Sequence, residues 1–388
     1  MKIEGTAQKR IVFWLYVGFA LTGAGTTLLG CILPRLIAAW GMTDARAGVL
    51  FAAQFAGSAC GAILVGLNYF NSILRGYVLA IASAIAIAFW ASSSRWFLFY
   101  VFGLGLGLAM TATSMFVSRL FTERRGSTLL LLNAAWTMGA VICPVVVALW
   151  SQRWATERLF LALAVSLLMV FSLIMRPHAA FFSDNRVQPG VKPGPVPLVL
   201  IFMIAVVAFL YVGVEVSVSG WMMSYVQRLT ATGMASPAIA VSSFWIALVA
   251  GRALAPGLLR RISEEELLTL SIAAAFISVC LLLLNRATLA IVLGAASSGL
   301  ALGPIYPLCL SRVMALANDS PNTKWVFATS GFGGALLPWM TGKLSTHHGS
   351  LRVGLGIPLL SLGIMFVLQL LSAPRGSAST ESSGQSSK

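Results

Sequence analysis

Apolar stretches long enough to cross a bilayer follow one another along this whole chain. A spanning helix needs about 20 consecutive, mostly apolar residues. Runs of that kind lie at 11–33, 45–67, 76–93, 96–118, 127–150, 158–175, 199–223, 237–258, 266–284, 288–314, 324–343 and 352–371, twelve in all. The polar segments between them are short, except Pro177–Pro197, which holds Asp184-Asn185-Arg186 and several prolines. That stretch divides the spans six and six. It predicts an N-terminal six-helix bundle over 1–176, a cytoplasmic linker over 177–197 and a C-terminal six-helix bundle over 198–373. The Ser-rich tail over 374–388 is expected to be disordered. The first run is too long for the apolar region of a cleaved signal peptide. No small-residue cleavage site follows it, since the chain continues into Leu33-Pro34-Arg35.

Composition agrees with the pattern. The chain has 388 residues, 58% hydrophobic and 10% charged, whereas a soluble domain carries about 25% charged residues. This is an integral membrane protein. The net charge of +15 comes from Lys and Arg spread over short loops rather than gathered on one face. Membrane topology, not nucleic acid, explains it. Most of the 26 basic residues fall on the side of the N-terminus. The positive-inside rule then places both termini in the cytoplasm of a multi-pass protein of the plasma (bacterial inner) membrane.

Several chemistries are excluded. The five cysteines lie inside apolar runs and read as small buried hydrophobes. They show neither a disulfide framework nor metal-ligand spacing, and His178, His347 and His348 lie in loops. No Walker A string and no large soluble domain are present, so nucleotide-driven transport is not expected. Neither paired intramembrane acids nor a Ser/His pair near the membrane surface suggests an enzyme. A secondary transporter remains, with a non-transporting receptor or scaffold as the alternative.

The halves repeat. At an offset of 190, Phe19, Gly23 and Gly30 fall on Phe209, Gly213 and Gly220, and Gly61 falls on Gly251. At 194, Ala134, Gly139 and Pro144 fall on Ala328, Gly333 and Pro338. At 193, Ser118-Arg119 falls on Ser311-Arg312. Parallel repeats of this kind place a substrate site near the midplane, between the halves.

One acidic residue, Glu215, stands inside a long apolar run; the other ten lie at run ends or between runs. A carboxylate there costs about 2.5–3.5 kcal/mol even on an insertion scale. Helical spacing puts Tyr211, Glu215 and Ser219 on one face of the seventh span. The repeat aligns Glu215 with Gly25 of the first. Two roles are open to Glu215. It lines a cavity, binding solute hydroxyls or carrying a proton, or it is a structural carboxylate satisfied by a neighbouring Ser, Tyr or Arg.

Other candidates for the cavity wall are Gln54, Thr111, Asn133 and Tyr306, with Trp136 and Trp245 able to stack on a sugar-like ring. Trp221 belongs either to that set or to the interfacial belt. Pro144, Pro304, Pro307 and Pro338 interrupt helix hydrogen bonding, as static kinks or as bending points. Arg119, Arg252, Arg260, Arg261 and Arg312 cluster at cytoplasmic helix ends beside Glu123 and Glu264-Glu265-Glu266. They are topology anchors, or a gate of Arg–carboxylate pairs that differs between two packed states.

Twelve spans, a central loop and a 6+6 repeat resemble the major facilitator superfamily. So do Leu33-Pro34 with Trp40-Gly41-Met42-Thr43-Asp44-Ala45-Arg46-Ala47-Gly48, and the string from Gly139 to Pro144. Tyr211 to Glu215 with Gly220-Trp221, Gly251-Arg252, Arg260 to Glu264, and Gly303-Pro304-Ile305-Tyr306-Pro307 resemble its fucose-permease-like sugar branch. The resemblance implies an all-α fold of two six-helix bundles about a pseudo-two-fold axis, with helices 1, 4, 7 and 10 around the cavity. It implies alternating-access transport of a small polar solute of sugar-like kind; a drug or metabolite exporter of the same fold is the alternative.

Two departures matter. Phe70 stands where the superfamily's loop motif carries Asp, and neither Gly18–Gly30 nor Phe97–Ser118 contains an acid. Proton coupling therefore does not follow from the resemblance. The expected partners are a small-molecule substrate, the lipid bilayer and, if Glu215 titrates, a proton. The chain is expected to be a monomer without cofactor.

Overall fold

The computed structural model describes residues 6–90, 92, 94–121, 125–150, 152–175, 198–230, 235–309 and 323–372. The linker, the tail, Asp184 and Arg312 lie outside them.

The helices are α1 (Thr6–Trp40), α2 (Asp44–Ile63), α3 (Tyr69–Trp90), α4 (Trp96–Leu120), α5 (Arg125–Trp150) and α6 (Arg158–Met175), then α7 (Leu198–Thr230), α8 (Ala235–Leu258), α9 (Glu264–Leu284), α10 (Thr288–Leu302), α11 (Thr323–His348), the short α12 (Leu351–Gly354) and α13 (Gly356–Ser372). After a turn at Gly303-Pro304 the chain is helical again over 305–309. Among the described residues, ten helices are long and apolar enough to span a membrane. The face on which α1 begins is called the near face below, and the opposite one the far face.

The first span is longer than its apolar run. It continues through Pro34 to Trp40, although proline cannot donate to the Gly30 carbonyl. It stops at Gly41, whose φ of +56° is the left-handed position that ends many helices. The Met42 amide then donates to the Ile37 carbonyl at 3.2 Å. Thr43 caps α2, its hydroxyl accepting from the Arg46 amide at 3.4 Å. Two consecutive capping signals thus make the sharp far-face turn that places Asp44 at the tip of α2. At the near face Ser263 and Glu266 form a reciprocal capping box at the start of α9. One of the acids expected near a gate is thereby engaged in starting its own helix.

Glycines set how closely helices approach within each half. A side chain on Gly103 would collide with the Gln54 carbonyl, and one on Gly61 with the Leu104 carbonyl. The backbones of α2 and α4 are therefore in direct contact, as small residues allow in membranes. In the other half Gly251 meets the Leu300 carbonyl and Gly299 the Phe244 carbonyl, so α8 and α10 pack the same way. Gly139 lies on the Ala20 carbonyl and its repeat partner Gly333 on the Phe209 carbonyl. The repeat read from the sequence is thus a repeat of contacts.

The halves meet along two seams. One joins α2 to α11, the two long helices absent from the ten apolar ones. Their small and polar residues face protein: Gly48 abuts the Trp339 backbone, Gly334 the Phe55 ring and Gly342 the Asp44 carbonyl. The other joins α5 to α8, where the Ser242 hydroxyl donates to the Val141 carbonyl at 3.3 Å. Between the seams α1 crosses α7 with Gly30 against the backbone of Gly220. These two glycines are repeat equivalents, so the crossing lies on the pseudo-two-fold axis.

Candidate functional site

A cavity of about 190 Å³ lies between the halves. Its far end is closed by Phe51, Gly30 and Gly220, with Trp221 behind Phe51 at a ring separation of 5.6 Å. Residues from α1, α2, α4, α5, α7, α8, α11 and the segment after Gly303 line it. That set includes α1, α4 and α7 of the four helices expected, with the tenth span represented by Tyr306 beyond Gly303, and adds their neighbours. Trp221 is fully buried, its indole N–H donating to the Pro338 carbonyl at 3.0 Å. Of the two readings left open for it, the interfacial belt does not describe its position.

Glu215 faces this cavity from α7, as do Tyr211 one turn before it and Ser219 one turn after. Its carboxylate lies 3.7 Å from the Arg252 guanidinium of α8. Both side chains are largely buried, with 9% and 12% of their surface exposed. Among the described lining residues these are the charged ones, so the site holds one charge of each sign. At 3.7 Å the pair is longer than the 2.7–2.9 Å or so of a tight charge-assisted hydrogen bond.

Arg252 was expected at a cytoplasmic helix end, as a topology anchor or as part of a gate. Its backbone is two turns from the end of α8, but its long side chain turns inward and reaches the cavity. There it also donates to the Thr137 hydroxyl of α5 at 3.3 Å, across the boundary between halves. The buried Thr137 hydroxyl donates to the Asn133 carbonyl at 2.8 Å, leaving lone pairs for Arg252.

Aromatic rings frame the charge pair. Tyr211 stacks on Tyr306 with centroids 5.6 Å apart and planes at 24°. Trp136 and Trp245 meet edge to face across the halves at 5.5 Å, and neither indole N–H is hydrogen-bonded within the protein. Thr111 and Asn133 also line the cavity.

Gln54 does not line it. Its amide donates to the Thr26 carbonyl at 3.0 Å, tying α2 to α1, so the interhelical alternative describes it. The cavity adds polar groups not singled out from sequence. Thr26, Thr27 and Ser114 line it and donate to carbonyls of their own helices. Their spent protons leave acceptor lone pairs toward the cavity. Hydroxyls of this kind are common in membrane helices, so nothing in the sequence marks these three out.

The remaining gate residues stay at the near face. Arg119 is exposed with its guanidinium 4.9 Å from the centre of the Tyr69 ring. Arg260, Arg261 and Glu264 are exposed between α8 and α9, while Arg312 lies outside the described residues.

The closed end of the molecule is opposite. At the far face Asp44 accepts from Arg228 of α7 at 2.5 and 2.8 Å and from the Ser345 hydroxyl of α11 at 2.6 Å. The Ala45 amide donates to the Thr346 hydroxyl at 2.8 Å. Burial pushes the Asp44 carboxyl up, but the Arg228 and Ser345 hydrogen bonds and the Arg228 charge outweigh it and hold it below its ordinary value.

Residues 15–324 match the sequence profile of the Major Facilitator Superfamily. The chain is 23% identical over 374 residues to a protein named TsgA homolog of Buchnera aphidicola subsp. Baizongia pistaciae (strain Bp), covering 92% of this chain and 94% of that one. It is 24% identical over 247 residues to a glucose/galactose transporter of Brucella abortus biovar 1 (strain 9-941), covering 58% of this chain and 59% of that one. Its fold is similar to that of the peptide transporter POT crystallised with sulfate, with a TM-score of 0.74 and 13% identity over 93% of each chain. The chain belongs to the Major Facilitator Superfamily and is a membrane-embedded solute transporter, not an enzyme.

Proposed function

We propose that this transporter carries a neutral, hydroxyl-rich small solute of sugar type by alternating access. The observation that carries the reading is the Glu215–Arg252 pair in the wall of an aromatic cavity. A site with one charge of each sign favours a solute without net charge. Two adjacent hydroxyls fit such a pair, one donating to the carboxylate and the other accepting from the guanidinium. The acceptor lone pairs of Thr26, Thr27 and Ser114 offer further partners to hydroxyl protons. The Brucella glucose/galactose transporter gives independent support.

The site comprises Glu215, Arg252, Tyr211, Ser219, Asn133, Trp136, Thr111, Tyr306 and Trp245. Glu215 is also the proton carrier if the chain is a symporter. In this reading the near face is cytoplasmic, both termini included, and the membrane is the bacterial inner membrane. The bundles span 1–176 and 198–373, and the chain works as a monomer.

Counterflow in proteoliposomes across labelled sugars, amino acids and drugs tests the proposal. Exchange confined to a hexose or related polyol is the expected outcome. Exchange of apolar drugs alone indicates an exporter instead.

A further inference from the structure

We propose that the outer groove between α9 and α13 holds one anionic phospholipid, with an acyl chain along the groove and the phosphate between Arg286 and Arg352. The groove has a volume of about 650 Å³. Phe276 of α9 stands on one side, and Gly356, Gly363, Ile364 and Val367 of α13 form much of the rest; no polar side chain lines it. Phe276, Ile364 and Val367 are exposed on the outside of the molecule. Both helices belong to apolar spans, so acyl chains rather than water meet this surface.

The two glycines here are unlike those that bring helices together. A side chain on Gly356 would meet nothing, and one on Gly363 would reach only the Phe276 ring, at 3.9 Å. No backbone approaches either of them. What they leave is depth in the groove floor. The groove runs from Gly356 to Leu368, which at 1.5 Å per residue is about 18 Å. One leaflet of a bilayer holds about 15 Å of hydrocarbon. The groove is therefore about one acyl chain long, and it begins at the far face, where α13 starts.

That far-face end carries charge. Arg286 follows the end of α9 at Leu284, and Arg352 lies four residues before Gly356. The Tyr225 hydroxyl donates to the Leu283 carbonyl at 3.3 Å, which fixes it at the end of α9. Both guanidinium charges act on that hydroxyl, so two cations from the two walls converge on one place. Both side chains are exposed. The acids of this half are Glu215 in the cavity, Glu264–Glu266 at the near face and Asp319, outside the described residues. Among the described residues, then, no carboxylate of the half answers the pair. With the near face cytoplasmic, the positive-inside tendency gives no reason for cations here either. A phosphate supplies the missing anion, since a guanidinium fork binds two of its oxygens at once. The site is separate from the cavity and independent of which solute is carried.

The test is native mass spectrometry of the full chain in detergent, with phosphatidylglycerol and phosphatidylcholine of equal chain length supplied together. The unaltered chain is expected to keep one phosphatidylglycerol, preferred at least about fivefold, the factor expected of one well-placed Arg. Arg286→Gln with Arg352→Gln should erase the preference. Gly363→Leu, which fills the groove, should remove the retained lipid. Arg260→Gln, an exposed near-face cation, should change nothing. Equal binding of the two lipids by the unaltered chain would overturn the proposal, as would a preference that survives the loss of both arginines or the filling of the groove. A dimer that Gly363→Leu dissociates would also overturn it, since a second copy of the chain would then be the occupant.

Discussion

The Arg252 guanidinium lies 3.7 Å from the Glu215 carboxylate in the cavity wall and hydrogen-bonds Thr137 of the opposite half. One cation thus touches both the acidic group of the site and the partner bundle. Solute that engages Glu215 competes with Arg252 for the carboxylate, and Arg252 is the residue that reaches the opposite half.

Glu215→Gln separates two roles. The amide keeps the shape and much of the hydrogen bonding but cannot titrate. If Glu215 carries the coupled proton, uphill accumulation should fall at least about tenfold while counterflow stays within about threefold, a factor of ten being about 1.4 kcal/mol. If it only binds solute, both should weaken, and more so in Glu215→Ala. Normal uphill uptake by correctly inserted Glu215→Ala removes it from the site.

Removing one member of the pair should be worse than removing both. Arg252→Met leaves Glu215 without its cation and should cost up to about 3 kcal/mol in stability. Arg252→Met with Glu215→Gln leaves no stranded charge and should recover much of that. Thermal melting in one detergent decides, and a double variant no more stable than the single counts against a coupled pair.

Gly103→Ala tests the close approach of α2 and α4. The added methyl meets the Gln54 carbonyl. Overpacking of this kind costs about 1–3 kcal/mol. Gly257→Ala, where nothing lies within reach of the new methyl, is the control and should leave the melting temperature unchanged or slightly raised.

Closure of the far face should resist mild acid. The Asp44 carboxyl is held below its ordinary value mainly by Arg228 of α7 and Ser345 of α11, against the opposing effect of burial. A lowered carboxyl stabilises the closed form above its ordinary range, and that stabilisation is lost as pH falls through the lowered value. The distance between spin labels introduced by Arg46→Cys in α2 and His347→Cys in α11 should therefore stay unchanged from neutral pH down to about pH 4 and lengthen only below it. Lengthening already near pH 6 would implicate another titrating group.

What was legible in the sequence is what a single helix records. The spans, the six-and-six division and the repeat followed from apolar runs and glycine offsets, and Glu215 stood out because nothing nearby in sequence shares its charge. Contacts between distant helices were not legible. Arg252 read as a helix-end anchor because the inward turn of its side chain depends on Glu215 and Thr137, on two other helices. Asp44 and Arg228 are 184 residues apart. Arg228 lies outside the apolar run 199–223, yet α7 continues to Thr230 and carries it. The apolar run of the first span ends at residue 33, but packing and the Gly41 turn carry α1 about two turns further, to Trp40.

The crossing of Gly30 and Gly220 gives the molecule a fulcrum. Side chains between helices interdigitate like teeth and resist rotation, whereas here backbone bears on backbone. Two rigid bodies tilting about one fixed point cannot spread at both ends together, so access from one side excludes access from the other without any signal passing between the faces. The fulcrum sits closer to the far face. The near-face helix ends are therefore the longer lever arms, and they should sweep the larger distance in each cycle.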